Sequence, residues 1–268
     1  MTSLRFIFLF LLISFSASAQ KDYKLWLQYN AVSNSALASE YKNDLKRIVV
    51  LGNSETIKIA QKELQTGFQD MLGTIPEIKS DVKEENNLVV GSQSNLNAET
   101  KNELKSDFDK INEEGFIIKS ISLKNKKQII ITGKNDVAVL YGVFNFLRML
   151  QTNKSLKNLN IADSPKTNIR ILNHWDNLDR TVERGYAGFS LWNWQKLPDF
   201  IDQRYIDYAR ANASIGINGT VLTNVNANAL ILTPQYLEKV EALANVFRSY
   251  GIKVYLTPRF SAPIEIGN

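Results

Sequence analysis

Short apolar runs alternate with amphipathic stretches of helical period in the second half of the chain, and this alternation limits the possible folds most strongly. Strand-like runs occur at 168–172, 216–225 and 252–256, and helix-like stretches at 203–213 and 234–251 separate them. Strands joined by helices of this length usually pair in parallel through right-handed crossovers. The order predicts an α/β fold, either the start of a (β/α)8 barrel or an open, doubly wound sheet.

The residues that follow the strands separate these two alternatives. A dinucleotide-binding sheet carries a glycine-rich phosphate loop after its first strand, and the sequence after Leu172 has no such pattern. The predicted strands are followed by tryptophan, asparagine, aspartate, threonine or arginine. Because barrel enzymes build their active sites at the carboxyl ends of strands, the sequence favours three β–α units of a (β/α)8 TIM barrel over 168–268.

The region 20–151 combines strands and helices in a different pattern. Its predicted elements are strands at 24–29, 48–51, 88–91, 116–121 and 128–132, and helices at 54–72 and 136–150. Ser54 and Gly73 are favourable residues at the start and end of the first helix. These elements predict a compact α+β domain. The polar stretch 152–167 is the predicted linker to the second domain.

The N-terminus has the pattern of a secretory signal peptide over residues 1–19. Arg5 precedes an apolar run at 6–15, and Ala17-Ser18-Ala19 forms a small-residue cleavage site before Gln20. The apolar run is too short for a membrane span. We therefore expect a periplasmic or extracellular protein that has no membrane contact after cleavage. The sequence contains no cysteine, so neither a disulfide nor a cysteine-linked lipid is expected.

The charge pattern does not indicate a nucleic-acid partner. The net charge of +5 is small for 268 residues, and basic and acidic residues are interspersed. The densest basic segment, 124–127, lies between two predicted strands. We expect a solvated hairpin turn there in preference to a polyanion site.

Aromatic and polar residues are concentrated directly after the strand at 168–172. Three of the four tryptophans lie there, at Trp175, Trp192 and Trp194, close to Phe189. A flat aromatic ring can accept the C–H groups of a sugar, while amide, carboxylate and guanidinium groups bind hydroxyls or a carboxylate. The run predicts a sugar-binding surface. The alternative is that the rings belong to the core, which we expect of one or two of them.

Three segments, at 173–188, 214–227 and 250–255, resemble the α-glucuronidases of glycoside hydrolase family 67. The helix at 136–144 resembles the last helix of their N-terminal domain, which is similar to the non-catalytic α/β domain of β-hexosaminidases. The resemblance covers nearly the whole mature chain. It implies a hexosaminidase-like N-terminal domain followed by a truncated (β/α)8 TIM barrel.

The resemblance implies an inverting hydrolase that removes α-1,2-linked glucuronic acid or 4-O-methylglucuronic acid from xylo-oligosaccharides. The expected substrates are aldouronic acids and other glucuronoxylan oligosaccharides, and no metal or organic cofactor is expected. Inversion uses an acid and a base whose carboxyl groups lie about 6.5–9.5 Å apart. The family carries these groups on later barrel strands, so we assign no catalytic residue here.

The chain is therefore expected to be an inactive or incomplete N-terminal fragment, and a naturally short protein is the alternative. A homodimer is expected only of the full-length enzyme. The second candidate function is a non-catalytic carbohydrate-binding protein.

By resemblance, Trp175 stacks in the glucuronic acid pocket and Val225 lines the same pocket near the substituent of the sugar. Both stand at the ends of predicted strands. For Trp175 the alternative is a ring that plugs the barrel mouth, and for Val225 it is plain packing.

The further substrate-binding candidates in this region are Asp176, Glu183, Arg184 and Asn224. The guanidinium of Arg184 could bind a uronate carboxylate through two hydrogen bonds, or it could pair with Asp179 or Glu183. His174 is the only histidine, and we expect it to have a structural, hydrogen-bonding role.

Overall fold

Two sheets organise the computed structural model, which describes residues 22–79 and 87–267. The strands are β1 (Arg47–Val50), β2 (Glu77–Lys79), β3 (Asn87–Val90), β4 (Phe116–Leu123), β5 (Lys126–Gly133), β6 (Asn160–Asp163), β7 (Ile171–Asn173), β8 (Gly219–Val221) and β9 (Lys253–Tyr255). The first sheet has the order β2-β1-β3-β5-β4-β6, and the second has the order β7-β8-β9. The expected signal peptide lies outside the described residues.

The α-helices cover both sheets and connect their strands. They are α1 (Ser35–Asp44), α2 (Glu55–Leu72), α3 (Ala98–Glu103), α4 (Lys105–Phe108), α5 (Asp136–Gln151), α6 (Gln203–Ser214), α7 (Pro234–Arg248) and α8 (Ala262–Ile266). Short 3-10 helices occur at Asp22–Leu27, Gln93–Asn95 and Ala229–Leu232. None of the helices within 22–79 and 87–267 has the length and apolarity that a bilayer span requires.

The first sheet is mixed, and helices α2 and α5 pack against it. Strands β1, β2, β3 and β5 are parallel, whereas β4 runs antiparallel to both β5 and β6. The hydroxyl of Ser54 accepts a hydrogen bond from the Ile57 N–H and so caps α2, and Gly73 ends this helix in a left-handed conformation. Both caps were predicted from the sequence and are confirmed.

The predicted lysine-rich hairpin is also confirmed. Strands β4 and β5 are joined at Lys124 and Asn125, which both have positive φ angles, of 50° and 63°. A two-residue hairpin turn with positive φ at both positions matches the right-handed twist of the strands that it joins.

The structure differs from two predictions made for the first unit. The predicted strand at 24–29 is wrong, because the backbone turns at Leu25 (φ 51°) inside a 3-10 segment, although Leu27 and Tyr29 are buried. Residues 160–163, within the predicted linker 152–167, form the edge strand β6. The position of the domain boundary stays a prediction.

The second sheet consists of parallel strands with crossover helices, as predicted. Asn173, Val221 and Tyr255 are level with one another across β7, β8 and β9. Helix α6 lies between β7 and β8 in the chain, and α7 lies between β8 and β9. The whole is a mixed α/β fold rich in parallel pairs. A truncated (β/α)8 barrel stays a prediction.

A buried ion pair joins the helices of the two sheets. Arg210 of α6 donates hydrogen bonds of 2.7 and 2.6 Å to the two carboxylate oxygens of Glu63 in α2. The hydroxyl of Tyr29 donates a third bond, of 2.6 Å, to the same carboxylate. The position of the second sheet relative to the first is thus fixed by directed bonds as well as by apolar packing.

Candidate functional site

The residues that follow the parallel strands meet along one edge of the second sheet. The His174 N–H donates to the Val221 carbonyl at 3.1 Å, and the Asn224 N–H donates to the Asp176 carbonyl at 3.0 Å. The Leu222 N–H donates to the Tyr255 carbonyl at 3.1 Å. This strand-end edge therefore carries the segments that sequence analysis selected after the first two strands.

The segment 174–190, named here the β7 loop, folds as a small antiparallel meander. Asp176 pairs with Val182, and Thr181 pairs with Phe189. The chain reverses first between Asp176 and Val182, where Arg180 has a φ of 74°, and again between Thr181 and Phe189, where Gly185 has a φ of 93°. The meander fixes which side chains of the loop point toward the protein and which point away from it.

A polar network joins three residues of the β7 loop to helix α6 and strand β8. The hydroxyl of Ser190 donates to Asp176 Oδ2 at 2.5 Å, and both residues are buried. Asp176 Oδ1 is 3.8 Å from His174 Nδ1, and His174 Nε2 shares a hydrogen bond of 2.8 Å with the Tyr208 hydroxyl. Tyr208 shares a further bond of 2.9 Å with Thr220 on β8. His174 thus has the hydrogen-bonded structural position that was predicted for it.

Burial governs the titration of this network. Burial lowers the pKa of His174, and the nearby Asp176 carboxylate opposes this shift without reversing it. Burial also raises the pKa of Tyr208 to about 12. The imidazole is therefore neutral at neutral pH and can serve as donor or acceptor to the Tyr208 hydroxyl.

We expect the single histidine Hε1 resonance to titrate with a midpoint below 6.5, the ordinary histidine value. Between the folded-state pKa and 6.5 the unfolded chain binds more protons, so the free energy of unfolding falls as the pH is lowered through this range. An NMR titration gives the midpoint, and urea unfolding at several pH values gives the slope.

Two variants control this prediction. Asp176→Asn removes the opposing carboxylate and should lower the midpoint further. His174→Gln should remove the part of the stability slope that belongs to histidine. A midpoint at or above 6.5 in the unsubstituted chain would contradict the prediction.

The two residues expected to line a sugar pocket both lie at the strand-end edge. Trp175 is 47% exposed and Val225 is 50% exposed. One cavity of about 470 Å³ lies beside β4 and β5, and another of about 230 Å³ lies between the two sheets. Neither of them is lined by Trp175 or Val225. A pocket shared by these two residues stays a prediction.

Two of the polar candidates are engaged within the protein. The carboxylate of Asp176 is held by Ser190, as described above. Asn224 is buried, donates its amide to Asn177 and accepts a bond of 2.6 Å from the Asn226 N–H. These side chains therefore hold the loops at the strand-end edge in place.

Glu183 and Arg184 are the more accessible candidates. Glu183 is partly buried and Arg184 is exposed. In the described part of the chain, Arg184 forms no ion pair with Asp179 or Glu183; Asp179 instead accepts bonds from the N–H and hydroxyl of Thr181. The guanidinium of Arg184 is thus open to solvent. Within the same described ranges, no three acidic or histidine side chains cluster as a metal site requires.

The other tryptophans of the aromatic run do not form a surface. Trp192 and Trp194 are fully buried. Trp192 packs against the rings of Tyr205, Tyr208 and Phe247. These two rings therefore belong to the core, as expected of one or two of them, and they take no part in a sugar-binding surface.

The fold is shared with a carbohydrate-cleaving enzyme of known structure. A family GH115 4-O-methyl-α-glucuronidase with specificity for decorated arabinogalactans superposes with a TM-score of 0.52 at 13% identity. The match covers 78% of this chain and 28% of that one. At this identity the likeness is one of fold, and the fold is that found in a glycoside hydrolase.

The sequence comparisons define the family. Residues 25–146 match the glycosyl hydrolase family 67 N-terminus, and residues 149–268 match the family 67 middle domain. A probable α-glucuronidase A of Aspergillus terreus is 33% identical over 252 residues, and the α-glucuronidase A of Emericella nidulans is 30% identical over 274. The chain belongs to glycosyl hydrolase family 67.

The alignments differ greatly in how much of each protein they cover. They include 90% and 98% of this chain but only 28% and 31% of the two fungal proteins. The chain thus spans less than a third of the length of these curated relatives.

Proposed function

We propose that the chain is part of an α-glucuronidase and that its strand-end edge helps to hold α-1,2-linked glucuronic acid or 4-O-methylglucuronic acid on xylo-oligosaccharides. The observation that carries this proposal is the half-exposed indole of Trp175, which lies at the carboxyl end of a parallel strand above a buried polar network. A half-exposed ring in a fixed loop can stack on a sugar at little entropic cost. The relatives named α-glucuronidase support the choice of sugar.

We assign these residues to substrate binding and not to the cleavage of the glycosidic bond. An inverting hydrolase needs an acid and a base on opposite faces of the sugar, about 6.5–9.5 Å apart. Asp176 is buried against Ser190, whereas Asp179 is exposed and accepts two bonds from Thr181 at Oδ1, and we assign neither to the catalytic pair. We further propose that β7, β8 and β9 are the first strands of a (β/α)8 barrel whose other strands carry the catalytic pair, and that the protein is periplasmic or extracellular.

Trp175→Ala is expected to weaken the binding of aldotetraouronic acid to the 268-residue chain about 30-fold. A central aromatic contact contributes about 2 kcal/mol to binding, which corresponds to this factor. Isothermal titration calorimetry measures the effect. Trp26→Ala is the matched control, because Trp26 is 48% exposed against 47% for Trp175, and its indole N–H donates to Ser214, away from the strand-end edge.

Three outcomes of this experiment would count against the proposal. One is an unsubstituted chain that does not bind the aldouronic acid. Another is an equal loss of affinity in the Trp26 and Trp175 variants. Release of glucuronic acid by the 268-residue chain would contradict the assignment of binding alone, whereas binding without release agrees with it and with the non-catalytic alternative. Release by a longer chain that contains these residues would then favour the enzyme.

A further inference from the structure

The pairing in the β7 loop determines which side chains share its outer face. Paired residues in antiparallel strands project to the same side, and successive residues project to opposite sides. Asp176 and Ser190 are buried and bonded to each other, so they mark the inner face. Their neighbours Trp175 and Phe189 must therefore project outward.

The exposure of these side chains in the structure agrees with this assignment. Phe189 is 84% exposed and Trp175 is 47% exposed, whereas Ser190 and Asp176 are 3% and 4% exposed. One segment of the meander separates the two rings. With neighbouring strands about 4.8 Å apart and an offset of two residues along the strand, the two Cα atoms lie roughly 12 Å apart. This separation exceeds the length of one sugar ring and suits two linked sugars.

The polar residues of the outer face differ between its two ends. Trp175 lies opposite Glu183, whose N–H donates to the Trp175 carbonyl, and the exposed Arg184 follows. Phe189 is paired with Thr181, whose hydroxyl donates a hydrogen bond to the exposed carboxylate of Asp179. At the Trp175 end the exposed Arg184 can offset Glu183 and bind the carboxylate of an acidic sugar. At the Phe189 end the Asp179 carboxylate would repel a second acidic sugar, so this end suits a neutral sugar that offers hydroxyls.

The space beside the loop is open. A Cβ atom added at Gly185 or Gly188 would meet no atom within 4 Å. The ring of Phe189 is therefore accessible to a ligand without movement of the backbone.

We propose that Phe189 is a specificity-determining residue that stacks on the neutral sugar attached to the uronic acid, the xylose residue of an aldouronic acid. This inference rests on the proposed function, in which Trp175 holds the uronic acid. Phe189 then distinguishes a uronic acid linked to a pentose chain from the free monosaccharide.

The test compares two ligands, methyl α-glucuronoside and aldotetraouronic acid, by calorimetry on the 268-residue chain. Phe189→Ala is expected to weaken binding of the oligosaccharide about tenfold and to change binding of the monosaccharide less than about twofold. Phe189→Trp should restore oligosaccharide binding. Trp175→Ala should weaken the binding of both ligands. Phe200→Ala is the control, because Phe200 is also exposed but lies outside the β7 loop.

The outcomes separate this inference from the proposed function. Suppose that Trp175→Ala weakens the binding of both ligands, and that Phe189→Ala either leaves the binding of both unchanged or weakens both equally. The role of Phe189 is then overturned, and the proposed function stands. If the unsubstituted chain binds neither ligand, both fail. A loss in Phe200→Ala equal to that in Phe189→Ala would also overturn the inference.

Discussion

Trp192→Ala is expected to lower the free energy of unfolding by about 4 kcal/mol, because it removes a fully buried indole, the largest side chain of its aromatic cluster. The ring of Trp192 lies 5.2 Å from those of His174 and Tyr208 and 5.7 Å from those of Tyr205 and Phe247, measured between centroids. These neighbours belong to several separate elements of the fold, so they cannot all move inward to fill the cavity that the substitution leaves. Urea unfolding followed by circular dichroism measures the loss.

Two further variants show whether burial is the cause. Trp175→Ala should cost less than about 1 kcal/mol, since half of its ring is already exposed. Trp192→Phe should lower the free energy of unfolding less than Trp192→Ala, because phenylalanine keeps an aromatic ring at this position. The substitution also breaks no hydrogen bond, since the indole N–H of Trp192 has no partner among the described residues. Equal losses from Trp175→Ala and Trp192→Ala would contradict the division of the aromatic run into core and surface.

Local periodicity predicted most of the second sheet. The parallel strands and both crossover helices lie where apolar runs and helical stripes placed them, and Pro234 begins α7 as its residue type suggests. These signals are local, because a buried strand or an amphipathic helix needs its own residues to repeat at a fixed spacing. The caps at Ser54 and Gly73 were found for the same reason.

Strand pairing decides which rings of the aromatic run face the core, and the sequence does not show that pairing. Trp175 and Trp192 are the same residue type in one polar segment, yet one is half exposed and the other fully buried. The pair Asp176–Val182 and the bond from Ser190 to Asp176 decide which way each ring faces. A period of two does not appear in the sequence of this segment, because polar residues follow one another directly at Asp176-Asn177 and Asp179-Arg180-Thr181.

Edge strands and buried polar groups were missed for a related reason. Strand β6 (Asn160–Asp163) is short and half of its residues are polar, so it resembles a linker until it pairs with β4. Tyr208 and Thr220 belong to the network of His174, but they come from α6 and β8, which only the tertiary fold brings together.

Glu63→Ala is expected to lower the free energy of unfolding by about 3 kcal/mol. The substitution leaves the guanidinium of Arg210 and the hydroxyl of Tyr29 without their carboxylate acceptor in a site that water reaches poorly. About a fifth of the Arg210 side chain is exposed, at 21%, so water can replace part of the lost interaction, and we expect the lower end of the range for buried pairs. Urea unfolding at pH 7 measures the loss.

The same helix offers a matched control for this ion pair. Glu55 and Lys58 approach to 2.6 Å, the same distance as Glu63 and Arg210, but their side chains are 71% and 61% exposed. Glu55→Ala should therefore change the stability by less than about 0.5 kcal/mol. If Glu55→Ala lowers the stability as much as Glu63→Ala does, the charge on the helix, and not the burial of the ion pair, determines both losses.

The double variant Glu63→Leu with Arg210→Met separates the strength of the pair from the cost of leaving one charge alone. Replacing a buried pair by apolar side chains of similar size is often nearly neutral, whereas breaking it is costly. The double variant should therefore be more stable than Glu63→Ala, with strongly non-additive effects. If it is less stable than Glu63→Ala, the attraction between the charges themselves holds α2 against α6. If it is more stable, the pair mainly enforces one arrangement of the two sheets, and with it the position of the strand-end edge.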